Sequence, residues 1–296
     1  MPPNKWRSLM IEEPQARSTD SLIIEGSKKL AGITNVPRLE AEIMLSEILN
    51  ISQIKLLTED INVCKENIGK FQKMIESRFN GVPIAYLTGR KEFWSLEFDV
   101  SPSVLVPRPE TELLIESVID IFKEYQSPKV LELGTGSGII SIILTRELNN
   151  PKITAVDISK DALMVAKKNA KKHAHSDINF LLSDWFEELS NLNFDLIVSN
   201  PPYVDKKSLS EEELLFLSHE PDVALFTEDK GNKDLKNIIK KSKSYINESG
   251  WIFLEHAFDQ AKYCMNEMGV CGYQNIQNRK DLQNIPRVTF GMIPHE

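Results

Sequence analysis

A short loop rich in hydrogen-bond acceptors follows the apolar run FDLIVS and contains Asn200, Pro201, Pro202 and Tyr203. Both prolines lack a backbone N–H, and the residue before each proline is pushed toward extended geometry. The loop is therefore stiff and offers carbonyl oxygens without competing donors. A planar NH2 group is its natural complement. The Asn200 side-chain carbonyl can accept one N–H and the Pro201 backbone carbonyl the other, while Tyr203 stacks on the flat group.

Such a loop supports alkylation of a nitrogen whose lone pair is delocalised into a neighbouring π system. Held through its N–H groups, the nitrogen presents its out-of-plane face to an electrophile, and the acceptors stabilise the positive charge that develops on it. Placing the reacting atoms in line does much of the remaining work. We therefore predict catalytic roles for Asn200, Pro201 and Tyr203, and substrate contacts for these three and Pro202. A rigid turn without chemistry is the structural alternative.

A glycine-rich turn in the segment VLELGTGSGIISIIL joins a predicted strand to a predicted helix. Gly134, Gly136 and Gly138 allow a ligand to approach the backbone closely. The dinucleotide fingerprint GxGxxG requires a glycine where Ile139 stands, so that fingerprint fails. The pattern GxGxG is instead typical of S-adenosylmethionine sites in this kind of fold. A turn that only connects strand and helix is again the structural alternative.

Polar and aromatic residues at the ends of the next two predicted strands indicate a nucleoside-like ligand. Asp157 ends the run KITAVD, where its carboxylate can accept hydrogen bonds from both hydroxyls of a ribose. Asp184 and Trp185 follow the run INFLLS. The Asp184 carboxylate can bind the exocyclic amine of adenine, and the Trp185 indole can pack on the adenine ring. For Trp185, a place in the core is the alternative.

The elements that must position these residues alternate between short β-rich runs and helical segments from about residue 110 onward. The β-rich runs are KVLELG, KITAVD, INFLLSD, FDLIVSN and GWIFLEH, followed by a final pair around YQNIQN and RVTFGM. This alternation predicts an α/β fold with a doubly wound, Rossmann-like sheet. Ligands bind such sheets at the carboxyl ends of the strands, which is where the residues named above lie.

Helical periodicity dominates before that point. Two predicted core faces consist of Leu39, Ile43, Leu45, Ile48 and Leu49, and of Ile68, Phe71, Met74, Ile75 and Phe79. We expect four regions: an N-terminal extension over 1–20, a small helical domain over 21–84, a β-hairpin linker over 85–107 and a catalytic domain over 108–296.

Composition limits the class of protein and its surroundings. A net charge of -8 and a pI of about 5.4 disfavour direct binding of nucleic acid through its phosphates. Cys64, Cys264 and Cys271 form no CxxC pair, which favours a reducing compartment over a disulfide frame or a zinc ribbon. The first 20 residues contain no apolar signal segment. We expect a soluble cytoplasmic monomer that binds neither metal nor membrane.

Together these motifs resemble the PrmC or HemK family of protein-(glutamine-N5) methyltransferases, which act on peptide chain release factors. The resemblance runs from about Leu22 to Met292 and includes GVPIAYLTGRKEFWSLEFDVSPSVLVPRPETE, VLELGTGSG, AVDIS, SDWF, SNPPYVD, HEPDVAL and RVTFG. It implies a class I methyltransferase with a helical domain that helps dock the release factor. The substrate would be the glutamine of the GGQ motif in class I release factors. Ala257 stands where many relatives have glycine, and Met292 departs from the usual end of the last motif.

The resemblance also implies roles for individual residues. The residues implied to contact S-adenosylmethionine are Gly134, Thr135, Gly136, Ser137, Gly138, Asp157, Trp185 and Asn200, and the adenine argument adds Asp184. The glutamine substrate would be held by the segment from Asn200 to Tyr203, and S-adenosylhomocysteine would be the product.

Other polar residues near these motifs have weaker functional interpretations. His173 and His175 lack a third metal ligand nearby, and His256 fits a structural role better than a catalytic one. Arg108 and Glu110 are expected either to shape a lid over the cofactor or to serve only the linker.

Three other functions use some of the same features. Methylation of a glutamine in a ribosomal protein would share the acceptor loop and is the main alternative. Methylation of adenine N6 in DNA would need base extrusion and a basic cleft, which the acidic charge and the lack of a recognisable target-recognition domain disfavour. A protein that only binds S-adenosylmethionine or NAD as a regulator is disfavoured by the intact acceptor loop and by Ile139.

Overall fold

The computed structural model describes residues 16–190 and 192–295. The chain forms two compact units, and the boundary between them falls between Thr88 and Gly89. Most of the extension predicted over 1–20, namely residues 1–15, lies outside the described residues.

The first unit is mainly helical. Its elements are β1 (Arg17–Ser18), α1 (Thr19–Leu30), α2 (Pro37–Leu49), α3 (Gln53–Thr58), β2 (Asn62–Val63), α4 (Lys65–Phe79) and α5 (Ile84–Thr88). The Ser18 side chain caps α1 by accepting from the Ser21 N–H, which satisfies one of the free donors at a helix start. Thr19 is fully buried and donates to Asp60 at 3.1 Å. The chain therefore belongs to the folded unit from residue 17 onward, within the region expected to be an extension.

The predicted buried face of α2 is confirmed for Leu45 and wrong for Leu39. Ala41, Met44 and Leu45 are fully buried, whereas Leu39 is 45% exposed. Apolar residues occur all around this helix, so their spacing does not select one face; packing against α1 and α4 does. In α4 the prediction is confirmed for Ile68, Phe71 and Ile75, which are buried, and is wrong for Phe79, which is 43% exposed.

The second unit begins with a β-hairpin. Its strands are β3 (Arg90–Phe93) and β4 (Leu96–Asp99). The two turn residues, Trp94 and Ser95, have φ values of 53° and 57°, the left-handed region that two-residue hairpin turns require and that Asn-Gly adopts more easily. Contacts hold this turn in place: the Trp94 N–H donates to Glu112 at 3.3 Å, and its indole N–H donates to Glu147 at 3.0 Å.

A seven-stranded sheet forms the centre of the second unit. The strands are β5 (Lys129–Leu133), β6 (Lys152–Asp157), β7 (Ile178–Leu182), β8 (Phe194–Ser199), β9 (Ile246–Glu255), β10 (Gln274–Lys280) and β11 (Pro286–Met292), in the order β10-β11-β9-β8-β5-β6-β7. The five strands from β5 to β9 run parallel, and β10 and β11 are antiparallel additions. The predicted α/β fold class is confirmed, including the final pair of strands.

Helices cover both faces of this sheet. The helices that pack on it are α6 (Glu110–Phe122), α7 (Ile139–Glu147), α8 (Lys160–His173), α11 (Lys233–Ser242) and α12 (Ala261–Val270). Two further helices, α9 (Glu211–Leu217) and α10 (Asp222–Leu225), lie between β8 and α11 in the chain. Neighbouring strand residues enter different cores: Phe253 packs in the cluster that contains Phe122, and Leu254 in the cluster that contains Ile239. Strands that are buried on both faces explain the nearly continuous apolar runs in the sequence.

The direction of winding reverses at β5. From β5 the chain winds through β6 to β7 on one side, then returns to β8 and β9 on the other. The carboxyl ends of β5 and β8 border the crevice at this switch point, which is where open α/β sheets bind ligands. Among the described residues, no helix combines the length and apolar character needed to cross a bilayer.

Candidate active site

The glycine loop lies at the carboxyl end of β5. The backbone N–H groups of Gly134 and Thr135 both donate to the Val156 carbonyl at 2.9 Å, which ties the loop to β6. Gly136 has φ 54°, and a Cβ placed on it would have no heavy atom within 4 Å. Gly138 has φ 85°, and its Cβ would lie 3.1 Å from Ala166. The two glycines therefore serve different needs: Gly136 faces open space, and Gly138 allows α7 and α8 to pack closely.

Asp157 ends β6 and supports the same loop. Its Oδ2 accepts the Gly136 N–H and its Oδ1 accepts the Ser159 N–H, each at 2.8 Å. Burial raises the pKa of this carboxyl above its ordinary value, although the hydrogen bonds from Ser159 and Gly136 act in the opposite direction. A carboxylate can accept about four hydrogen bonds, and the Ile158 N–H also interacts with this one, so the residue can hold the loop and still bind a ligand hydroxyl.

A cavity of about 390 Å³ lies at this end of the sheet. The predicted site residues that line it are Gly134, Thr135, Gly136, Ser137, Asp157, Asp184, Trp185, Asn200 and Pro202. Gly138, Pro201 and Tyr203 adjoin these wall residues in the chain without lining the cavity themselves. The structure thus brings the glycine loop and the acceptor loop, which lie far apart in the sequence, to one cavity.

Trp185 packs against the glycine loop. Two atoms of its six-membered ring lie 3.6 and 3.9 Å from the position that a Cβ on Gly134 would occupy. The residue itself has φ 48°, and its carbonyl oxygen accepts a hydrogen bond from the Ser183 hydroxyl at 3.1 Å. The indole therefore forms part of the cavity wall and also borders the core cluster on that face of the sheet.

The acceptor loop follows β8, and its polar side chains are held by hydrogen bonds to neighbouring protein groups. The Asn200 Nδ2 donates to the Thr111 hydroxyl at 3.2 Å. The Tyr203 hydroxyl donates to Glu255 at 3.1 Å, and the Tyr203 carbonyl accepts from Gln260 at 3.2 Å. Pro201 is buried. These contacts add tertiary restraint to a loop that its prolines already make stiff.

Glu255 is a site residue that the sequence analysis did not identify. It ends β9, is fully buried, and accepts hydrogen bonds from Tyr203 and from the Thr111 hydroxyl, the latter at 2.8 Å. Burial raises the pKa of its carboxyl to about 7, against the lowering effect of these two hydrogen bonds. One buried carboxyl thus supports two residues of the acceptor loop, Tyr203 directly and Asn200 through the Thr111 hydroxyl.

Glu132 plays a similar part beneath the glycine loop. Its carboxyl accepts from the Thr135 hydroxyl at 2.7 Å and from the Ser141 N–H at 3.1 Å, and it also accepts from the Ser141 hydroxyl. Burial raises the pKa of Glu132 to about 7. The residue lines the cavity, so it braces the loop and adds a titratable group to the wall.

Arg108 and Glu220 join the segment before α6 to the segment before α10. The Arg108 guanidinium pairs with the Glu220 carboxyl, which also accepts the Val106 N–H at 3.0 Å. Glu220 is only 6% exposed, and both segments contribute cavity walls, among them Arg108 and Pro221. The ion pair therefore closes one side of the cavity.

Signals for these missed residues exist in the sequence. Glu132 in VLEL and Glu255 in WIFLE each stand alone as a carboxylate in an otherwise apolar segment. Burying an ionisable group is costly unless it has partners, so such a residue marks a position with a specific hydrogen-bonding task. Thr111 and Glu220 carry no signal of this kind, because their partners are distant in the chain; they lie only within the segments PRPETE and HEPDVAL that carry the family resemblance.

The histidines make structural contacts. His256 is buried between the Ala257 carbonyl and the Thr289 hydroxyl, both at 2.8 Å, and burial lowers its pKa. His173 lies 2.7 Å from the Glu97 carbonyl, and His175 lies 2.8 Å from Arg146. Within the described ranges, no group of three or more His, Cys, Asp or Glu side chains could hold a metal ion.

Comparison with known protein families gives two matches along the chain. The PrmC N-terminal domain matches residues 21–89, and the Methyltransferase small domain matches residues 109–217. A solved structure, the methyltransferase from Pyrococcus furiosus, aligns with a TM-score of 0.53 at 15% identity, covering 76% of this chain and 99% of that chain. That likeness supports the fold.

Two curated relatives match nearly end to end. The release factor glutamine methyltransferase of Aliivibrio fischeri is 38% identical over 289 residues, which cover 96% of this chain and 98% of that protein. The release factor glutamine methyltransferase of Coxiella burnetii is 37% identical over 263 residues, covering 88% and 94% of the two chains.

The parallel sheet, the glycine loop at its switch point and the matched domain define a class I methyltransferase. The identity of 38% and 37% to the two curated relatives, over 96% and 88% of this chain, then shows the family within that class. The chain belongs to the release factor glutamine methyltransferase family.

Proposed function

We propose that the protein transfers a methyl group from S-adenosylmethionine to the side-chain amide nitrogen, N5, of the glutamine in the GGQ motif of class I peptide chain release factors. The observation that carries this proposal is that Asn200 and Gly136 line one cavity. A methyl donor held at the glycine loop and an amide held at the acceptor loop would then meet in the same space. The names of the curated relatives support the choice of substrate.

The cavity fits S-adenosylmethionine by the character of its walls. The open space at Gly136 accommodates a ligand that approaches the backbone, and the remaining acceptor capacity of the Asp157 carboxylate, which lines the cavity, suits a ribose hydroxyl. Asp184 and Trp185 also line the cavity, and they would supply a polar and an aromatic contact to adenine. When bound, S-adenosylmethionine supplies an electrophilic methyl group on a positively charged sulfur.

The acceptor loop would orient the substrate amide. The Asn200 carbonyl oxygen and the Pro201 backbone carbonyl accept the two N–H bonds, and Tyr203 restrains the plane of the amide. The electron pair of the broken C–S bond would stay with the sulfur of the methyl donor, and the loop acceptors would stabilise the positive charge that develops on the amide nitrogen. The proton becomes acidic only at that stage and leaves to solvent, so no strong base is required beforehand.

The partner and the setting are part of the same proposal. We propose that the protein acts as a monomer in the cytoplasm and that the helical domain helps dock the release factor. The match of residues 21–89 to the PrmC N-terminal domain supports treating this region as a domain of its own. Light scattering on the free protein and on its mixture with a release factor measures both stoichiometries.

A labelling experiment tests the function. Purified protein is incubated with radiolabelled S-adenosylmethionine and, in separate reactions, with a class I release factor, total ribosomal protein and duplex DNA. We expect label on the release factor alone, on the GGQ glutamine by mass spectrometry, and none when that glutamine is replaced by alanine. Asn200→Ala should abolish the transfer, whereas Asn149→Ala, at an exposed asparagine of the same unit, should not. Label on a ribosomal protein or DNA instead, or full activity of Asn200→Ala, would contradict the proposal.

A further inference from the structure

Glu255 joins two residues of the acceptor loop through one buried carboxyl group. Its Oε1 accepts the Tyr203 hydroxyl at 3.1 Å, and its Oε2 accepts the Thr111 hydroxyl at 2.8 Å. The Thr111 hydroxyl in turn accepts the Asn200 Nδ2 at 3.2 Å. Four side chains from β9, α6 and the loop after β8 thus form one continuous chain of hydrogen bonds.

The direction of these hydrogen bonds follows from the carboxylate. An ionised carboxylate only accepts, so when Glu255 is ionised the single proton of the Thr111 hydroxyl must point to it. The Thr111 oxygen can then only accept from Asn200, and the end of the amide that faces it must be the NH2 group. The carbonyl end of Asn200 is consequently turned away from Thr111. Either orientation of an amide fills nearly the same volume, so packing alone does not make this choice.

We propose that Glu255 and Thr111 are positioning residues that fix the Asn200 amide with its carbonyl oxygen toward the substrate. This inference rests on the proposed function, because the fixed carbonyl is the acceptor for the glutamine NH2 group. The reverse orientation would present a donor to a donor and would prevent the substrate from binding in the reactive geometry. The hydrogen bond from the Tyr203 hydroxyl to Oε1 of Glu255 fixes the Tyr203 side chain in the same way.

The chemistry of position 255 argues for this role over a purely structural one. The side-chain partners of Glu255 are two neutral hydroxyl groups, and a buried carboxyl with such partners is costly compared with an apolar residue of similar size. A glutamine would present a donor to one of the two hydroxyls. Only a carboxylate accepts from both, and this property sets the direction of each bond in the chain.

A spectroscopic experiment tests the orientation without any substrate. The side-chain NH2 signals of Asn200 are assigned in 15N-labelled protein by their loss in Asn200→Asp. We expect them to shift and to exchange faster with solvent in Thr111→Val, which keeps the shape of Thr111 but removes its hydroxyl. They should keep their positions in Thr111→Ser, which retains the hydroxyl, and in Thr145→Val, a matched change at a buried threonine of α7 outside the cavity. Unchanged Asn200 signals in Thr111→Val would overturn the inference.

Kinetics provide the second measurement. In Thr111→Val, kcat/KM for the release factor should fall by about tenfold or more, as expected for the loss of roughly one hydrogen bond in the reactive complex. Binding of S-adenosylmethionine, measured by calorimetry, should change by less than about twofold. The lost hydrogen bond orients the Asn200 amide toward the glutamine substrate, and the contacts at the glycine loop that would hold S-adenosylmethionine stay in place. Thr111→Ser should restore most of the activity. Equal losses in Thr111→Val and Thr111→Ser would contradict a role for the hydroxyl.

The two proposals fail in different ways. If the wild-type protein does not methylate a release factor while the Asn200 signals depend on the Thr111 hydroxyl, then the proposed function is wrong and the orienting contact stands. If the release factor is methylated and the signals do not depend on Thr111, then the function stands and the orienting contact is wrong.

Discussion

The Asn169 side chain makes hydrogen bonds to both backbone groups of Asp99. The Asp99 N–H donates to Oδ1 at 2.8 Å, and Nδ2 donates to the Asp99 carbonyl at 2.9 Å. The second hydrogen of Nδ2 reaches the Ser137 carbonyl at 2.9 Å. A single fully buried amide on α8 therefore ties the β-hairpin to the glycine loop.

Replacing this amide should weaken both the fold and cofactor binding. In Asn169→Ala the backbone groups of Asp99 and Ser137 lose their partner, and each unsatisfied buried group costs about 1–3 kcal/mol. We expect a clearly lower melting temperature and weaker binding of S-adenosylmethionine, measured by thermal denaturation and calorimetry. Asn149→Ala, at an exposed asparagine with a hydrogen bond to the Lys123 carbonyl, is the control. Equal melting temperatures for the two variants would show that Asn169 does not hold these segments.

Two substitutions in the glycine loop should separate ligand binding from folding. Gly136→Ala meets no protein atom within 4 Å, so its cost to folding is mainly the backbone strain of about 1–2 kcal/mol. Gly138→Ala adds contacts at 3.1 and 3.2 Å with Ala166 and Ile142, and overpacking costs about 1–3 kcal/mol more.

The measurements are the free energy of unfolding and the affinity for S-adenosylmethionine. We expect Gly136→Ala to lose affinity by about tenfold or more, which is at least about 1.4 kcal/mol, while it stays the more stable of the two variants. Gly138→Ala should be the less stable. The reverse order of stability, or full affinity in Gly136→Ala, would show that the open space at Gly136 is not used by the ligand.

The ionisation of Glu255 should appear in the pH dependence of catalysis. Burial raises the pKa of its carboxyl to about 7; the charged groups that face it are Glu110 on α6, which raises the pKa further, and Arg287 on β11, which lowers it. The ionised form orients the acceptor loop, so kcat at saturating S-adenosylmethionine should rise as the pH passes through about 7. Glu255→Gln should flatten this rise. A wild-type profile without a rise in this range would contradict the assignment.

Stability should change in the opposite direction. Because the carboxyl binds its proton more tightly in the folded state than in the unfolded chain, its contribution to stability is fully present below its ordinary pKa of 4.5 and is lost as the pH rises through about 7. Glu132 acts with the same sign. The fall in the free energy of unfolding between these pH values should be smaller in Glu255→Gln than in the wild type, as measured by urea denaturation.

The ion pair between Arg108 and Glu220 should matter more than ion pairs on the surface. Glu220→Ala leaves the Val106 N–H and the Arg108 guanidinium without their partner. We expect affinity for S-adenosylmethionine to fall by about tenfold, with a smaller loss in Glu220→Gln, which keeps an acceptor for Val106. Glu66→Ala removes an exposed pair with Lys70, and such pairs contribute about 0–1 kcal/mol. Equal affinities in Glu220→Ala and Glu66→Ala would show that the pair does not shape the cavity.

Local sequence chemistry accounts for much of the fold and for part of the candidate site. The apolar runs KVLELG and FDLIVSN contain β5 and β8. They could be recognised as strands because a strand that is covered on both faces is apolar throughout. Gly136 and the Pro201–Pro202 pair could be interpreted from sequence, since the freedom of glycine and the missing donors of proline are properties of single residues. The family resemblance rests on the same local segments.

Packing decided the rest. The inward face of α2 depends on its neighbours, because Leu39 and Met44 are equally apolar and only the contacts with α1 and α4 distinguish them. Thr111 and Glu255 are 144 positions apart, and the register of β9 and the placement of α6 bring them together. The orientation of the Asn200 side chain then depends on the contact between Thr111 and Glu255. An acceptor loop can therefore be recognised from its residues, but the direction of its hydrogen bonds is set by partners that only the folded sheet brings within reach.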